Sequence, residues 1–163
     1  MREMLVCRNI DAIDYYIAQM LRKVYKQRPE IMRASEYSVQ MSTVLQCGSI
    51  DEDILKVAEQ KVQDLSYKGL NDLIKYLNET LKMKFDIKRD DYQVALEVFY
   101  ARNILVHNGG IVNELYLQKT KRLDLKVGDP YPLTHMDFAV GIAGLVALTY
   151  YLDKEFLSHF KLT

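Results

Sequence analysis

Apolar side chains recur every three or four residues through most of the chain, the spacing of helices that each bury one face. Ile10, Ile13, Ile17, Met20, Leu21 and Val24 make the inner face of a first long helix. Arg22, Lys23, Lys26 and Arg28 follow just before Pro29, which suits the negative end of its dipole. A second helix is expected from about Glu30 to Leu45, ended by Gly48. Ser49-Ile50-Asp51-Glu52 reads as a capping box, opening a helix with Ile54, Ala58, Val62 and Leu65 inward until Gly69 interrupts it. Leu70, Leu73, Ile74, Leu77 and Leu81 then form another apolar face, and Lys82 to Arg89 is a basic connector without a period. Asp90 is the expected N-cap of the next helix, with Gln93 placed to reach back. That helix carries Ala95, Phe99, Arg102 and Val106 along one line and stops at Gly109-Gly110.

The pattern weakens from Ile111 to Leu133, where a short helix over Val112 to Gln118 is followed by an irregular passage from Val127 to Pro132. It returns strongly at the end. Thr134 and Asp137 have the spacing of a helix-start cap, and Phe138, Ile142, Leu145, Thr149, Leu152, Phe156 and Phe160 form a long seam. Ala139, Ala143 and Ala147 make a ridge of small residues beside it, where another helix could approach closely. Strand-like alternation and internal repeats are missing. The reading is all-α: a bundle of about five or six helices forming one domain over residues 1–163.

Composition narrows this picture. Hydrophobic residues make up 49% and charged residues 27%, which excludes disorder as a description of the whole chain. The 22 basic and 22 acidic residues cancel, so a broadly basic nucleic-acid binder is excluded and any polyanion must meet a local patch. Cys7 and Cys47 are too few for a disulfide framework or a thiolate metal site. The charge-free run from Phe138 to Leu152 is shorter than the ~20 residues of a membrane span, so a buried helix and no membrane partner are expected. Met1-Arg2-Glu3-Met4 does not resemble a secretion signal, and a cytoplasmic location follows as the expectation.

Candidate chemistry concentrates in Arg102-Asn103-Ile104-Leu105-Val106-His107-Asn108-Gly109-Gly110. On a helix Asn103 and His107 lie one turn apart on one side, while Arg102 stands about 140° around from His107. The set combines a permanent guanidinium for a phosphate, an amide to orient it and an imidazole that exchanges protons near neutral pH. Arg and His near a helix end also serve as structural caps, so spacing alone leaves both readings open.

The stretch Arg102 to Leu117, RNILVHNGGIVNELYL, resembles the signature of HEPN domains, an Arg, a polar residue and then a His after a few positions. The run VHNGGIV and the later KVGDPYPL (Lys126 to Leu133) are similar to the RiboL-PSP-HEPN branch. The resemblance implies an up-and-down helical bundle, a homodimer with a composite active site, and metal-independent endoribonuclease activity in a toxin–antitoxin or defence setting. It implies catalytic roles for Arg102, Asn103 and His107, with RNA as substrate, no cofactor and no metal, and an antitoxin or defence protein as partner. The alternative within the family is a non-catalytic dimer that binds nucleotides or proteins. Some family toxins carry an adenylated Tyr two residues after the His; this chain has Gly109 there, so that control is not expected.

From Lys82 through Lys126 there are nine basic and six acidic residues, a modest local excess. Lys119, Lys121 and Arg122 are the candidates for holding RNA, with Tyr116 as a stacking platform and Tyr131 a further one. Glu97 and Glu114 are the acidic residues that could assist the imidazole.

Overall fold

The computed structural model describes residues 1–34, 50–120 and 122–161. Among them are six α-helices: α1 (Arg2–Gln27), α2 (Ile50–Lys68), α3 (Leu70–Glu79), α4 (Asp90–His107), α5 (Glu114–Thr120) and α6 (His135–Phe160). The described residues contain no strand, only an isolated antiparallel bridge between Ile111 and Pro130. The all-α reading therefore stands. Pro29–Ala34 form a 3₁₀ helix rather than the start of an α-helix. The rest of the helix expected to Leu45, the Gly48 stop, the Ser49 cap and Cys47 lie outside the described residues, as does Lys121.

The chain gathers into two compact units, each built from segments distant in sequence. One takes Met1–Ile13 and Asp86–Asp153; the other takes Asp14–Phe85 and Lys154–Thr163. Both α1 and α6 thus contribute residues to each unit.

In the second unit the expected faces are buried: Ile17, Met20, Leu21 and Val24 of α1, Ala58, Val62 and Leu65 of α2, and Leu70, Leu73, Ile74 and Leu77 of α3. Gly69, at φ +87°, turns the chain between α2 and α3 in a conformation that L side chains rarely adopt. Polar groups fasten the same elements. Arg22 grips Glu59 through two N–H···O bonds of 2.5 and 2.8 Å, and the Tyr25 and Tyr76 hydroxyls meet at 2.6 Å. The Asn78 amide pairs both ways with the backbone of Phe85, which anchors the connector after α3.

In the first unit α4 packs against α6. Within the chain no described helix covers the start of the alanine ridge, since Ala139 and Ala143 are exposed. Glycines take that part: a β-carbon on Gly141 would lie 2.9 Å from Val98, and one on Gly144 would lie 2.6 Å from Val94. Only helices without intervening side chains reach such a separation.

Helix α6 begins as read. The Thr134 hydroxyl accepts the Asp137 N–H at 3.1 Å, and the Asp137 carboxylate accepts the Thr134 N–H at 3.0 Å. Its inner seam is buried at Leu145, Leu152, Phe156 and Phe160, but the expectation of a wholly buried helix fails. Met136, Val140, Val146 and Tyr150 are exposed, and only 28% of its most apolar stretch is buried. By length and composition this 26-residue helix could also cross a membrane.

The start of α4 departs from expectation too. Asp90 is already helical, and Arg89 precedes it without any side-chain cap. Instead Arg89 forks onto Asp91 at 2.9 and 2.8 Å, and Asp91 accepts the Tyr92 N–H at 2.9 Å. That fork holds the Asp91 carboxyl below its ordinary range, keeping an anion at the positive end of the helix dipole. Gln93 reaches back to the Ile87 carbonyl instead of to Asp90.

Candidate functional site

The last turn of α4 is ended by its sequence. Asn108 leaves the helix, and Gly109 and Gly110 take φ values of +60° and +76°, which a side chain would strain. The Asn108 and Gly110 amides both donate to the Ile104 carbonyl, at 3.0 and 2.9 Å. The Asn108 side chain donates across the turn to the Ile111 carbonyl at 2.6 Å. The chain then doubles back. Asn113 caps α5, its Oδ1 accepting the Tyr116 N–H at 2.8 Å.

The passage from Val127 to Pro132 looked irregular in the sequence, yet it closes on this turn. Tyr131 donates to Gly110 at 2.8 Å, Val112 to Asp129 at 2.9 Å and Gly128 to Val112 at 2.9 Å. Ala101, Ile104, Val112 and Tyr116 form a core beneath, with Tyr100, Leu117, Leu125 and Tyr131 packed against it. Side chains reinforce this cluster. The Tyr116 hydroxyl donates to Glu97 at 3.2 Å, and Arg122 donates to the same oxygen at 2.6 Å. Arg122 also forks onto Asp124 at 2.7 and 2.6 Å, which holds that carboxyl down at about 2. Burial pushes the Tyr116 phenol far above its usual range, with Tyr131 and Glu97 adding to the effect.

Between the end of α4, the glycine turn and the start of α5 lies an open cleft of about 380 Å³. Asn103, His107, Asn108 and Asn113 line it together with Tyr100, Ile104, Leu115 and Tyr116. Asn103 and His107, the pair predicted to share one side of the helix, are therefore together. Both are exposed, and neither side chain makes a hydrogen bond to a described residue.

Arg102 does not line this cleft. It faces α1, where its Nη2 meets Asp11 at 3.2 Å, and its Nε is buried without a partner among the described residues. Cys7 lies on the same side; burial pushes its thiol upward, and Arg102 pulls against that shift. The Arg102 side chain is 30% exposed.

The proposed RNA contacts separate. Lys119 is exposed and lines a smaller hollow of about 170 Å³ beside Glu97, not the His107 cleft. Arg122 is committed to two carboxylates. Tyr116 is 1% exposed, its ring edge-on to Tyr131 at 5.7 Å. It has no face to offer a base, so the stacking role expected for it is withdrawn. Neither Glu97 nor Glu114 lines the cleft, so no carboxylate stands beside His107 there. Sequence reasoning missed Asn113, although an Asn immediately before a short helical run is a readable cap. It also missed Asp11, whose pairing across 91 residues leaves no local signal. Among the described residues no three His, Cys, Asp or Glu side chains cluster as potential metal ligands. No protein-family model, curated protein or solved structure matches the chain.

Proposed function

We propose that the chain is an endoribonuclease of the HEPN type that cleaves RNA without a metal. The observation that carries this reading is the availability of His107: exposed, unpaired within the described chain, and beside Asn103 in an open cleft. A His serving only as a structural cap would be bonded within its own chain. In the reaction an RNA 2′-hydroxyl attacks the adjacent phosphorus while a base removes its proton. The bond from phosphorus to the 5′-oxygen breaks, and an acid protonates that leaving oxygen. The products carry 2′,3′-cyclic phosphate and 5′-hydroxyl ends. His107 supplies one of the proton transfers, Asn103 orients the phosphate, and Arg102 offsets charge developing on its oxygens.

Arg102 must leave Asp11 to act, or be supplied by a second copy. Their single contact is half-exposed and weak, worth at most about 1 kcal/mol. A homodimer with a composite site fits this need, and the exposed stripe of Met136, Val140, Val146 and Tyr150 is the surface for it. Leu145, Leu152, Phe156 and Phe160 of the seam are buried and not available for that contact. The setting of the reading is a cytoplasmic defence or toxin–antitoxin system.

One observation favours the second reading, a non-catalytic nucleotide- or protein-binding module: Arg102 is engaged with Asp11 rather than aimed at the cleft. Ribonuclease assays in EDTA, on varied RNAs, separate the two. Cleavage leaving cyclic phosphate ends, lost in His107→Ala, is expected. Intact RNA with the wild-type protein, or unchanged cleavage by the variant, selects the module. Light scattering that finds only monomer at micromolar concentration removes the composite site.

A further inference from the structure

We infer that Asn113 is a further catalytic residue, whose side-chain amide donates to a phosphodiester oxygen held in the His107 cleft. The inference rests on the nuclease reading given above and adds to it a group from outside the Arg102–His107 segment. The residues lining the cleft include no Lys or Arg, and Arg102 faces Asp11 instead. The donors that this part of the chain brings to the cleft are therefore the imidazole and three carboxamides, those of Asn103, Asn108 and Asn113.

The three amides are not equivalent. The Asn108 nitrogen is spent on the turn, donating to the Ile111 carbonyl at 2.6 Å. Asn103 is exposed, and no described residue fixes the plane of its amide. Asn113 is half-buried and held at two points. Its Oδ1 accepts the Tyr116 N–H at 2.8 Å, and its backbone carbonyl accepts the Leu117 N–H at 3.2 Å. Only the oxygen of an amide can accept from that N–H, so the group is oriented. Nδ2 is left as the free end, two hydrogens without a partner among the described residues. The anchor is itself fixed, since Tyr116 is buried and its hydroxyl donates to Glu97 at 3.2 Å. A donor locked in place before substrate arrives needs no reorganisation as charge develops, which is how oxyanion-hole groups act. Asn113 thus donates through Nδ2 to a non-bridging phosphoryl oxygen while His107 transfers a proton, and no covalent bond to Asn113 forms or breaks.

Two substitutions in the full chain keep the cap and remove the donor. Ser and Asp cap a helix about as well as Asn, so Asn113→Ser and Asn113→Asp should leave Tm unchanged. In Asn113→Ser, kcat for RNA cleavage should fall about 10²–10³-fold with KM little changed, the loss that follows removal of one oxyanion donor. Asn113→Asp should lose at least as much, because a carboxylate only accepts and repels the phosphate. A second arm is independent of turnover. A 2′-O-methyl dinucleoside monophosphate cannot cyclise, and NMR titration with it should shift the Asn113 side-chain NH₂ signals, which the free nucleosides should leave in place. Undiminished cleavage by Asn113→Ser overturns the role of Asn113 and leaves the nuclease standing. NH₂ signals unmoved by the dinucleotide overturn that role whether or not RNA is cleaved. Shifted signals on a wild-type protein that leaves RNA intact overturn the nuclease and uphold Asn113 as a phosphodiester contact.

Discussion

Replacing Gly144 with Ala tests the packing that positions the site-bearing helix. In an unobstructed helix this change would stabilise the protein by about 1 kcal/mol, because Gly is the poorer helix former. Here the added methyl would stand 2.6 Å from Val94 Cγ1, 3.0 Å from Val94 Cβ and 3.2 Å from the Ala95 backbone nitrogen. The Val94 side chain can rotate away only in part, since its β-carbon is itself in the way, and the backbone of α4 cannot yield without moving the helix. Overpacking of this kind costs about 1–3 kcal/mol, and contact with backbone argues for the upper end. Subtracting the helix-propensity gain leaves a net loss of about 2 kcal/mol. For a chain of this size that lowers Tm by roughly 4–8 °C. Thermal and urea melts followed by circular dichroism, at one protein concentration, measure it. Gly144→Ala combined with Val94→Ala should recover part of the loss, because it removes the closest contact, Val94 Cγ1 at 2.6 Å, while the β-carbon and backbone contacts remain. A Tm that rises in the single variant, or a double variant no better than the single, refutes the account of how α4 and α6 meet.

Further expectations concern charge. Asp11→Asn frees Arg102 while changing stability by less than about 1 kcal/mol, as for an exposed pair; cleavage should hold or rise, and a loss of cleavage would mean that Asp11 orients Arg102 rather than restraining it. Burial pushes the Tyr131 phenol up to about 12, aided by Glu97, and pushes Tyr92 and Tyr116 higher still. Unfolded phenols ionise near ~10, so this contribution is complete below pH ~10 and is lost as pH rises towards 12 and beyond. Alkaline melts combined with tyrosinate absorbance should show ionisation of these rings arriving with unfolding, and smooth ionisation of all tyrosines near their ordinary value in a folded protein would contradict it.

Much of the helical layout was legible because the signals are local. The spacing in α1 and α3, the Gly69 and Gly109-Gly110 stops, and the Thr134–Asp137 cap each involve residues within a few positions of one another. The pairing of Asn103 with His107 was legible for the same reason, since one helical turn fixes their relation. The line assigned to α4 was less successful. Ala95 is buried, but Val106 at its far end is half exposed, while Tyr92, Leu96, Val98, Ala101 and Ile104 are buried. A helix covered on more than one side has no single stripe for periodicity to find.

What the sequence by itself determined is the six described α-helices, most of their ends, and the neighbourhood of Asn103 and His107, because backbone geometry relates residues one turn apart. Tertiary structure alone decided the partners. It turned Arg102 to Asp11, buried Tyr116 over a core, and gave Arg122 to Glu97 and Asp124. It also joined Gly110 and Val112 to residues 128–131, bracing the turn after α4 with a passage that has no periodicity. These contacts link positions far apart in sequence and depend on which helix faces meet, a relation that local spacing does not carry.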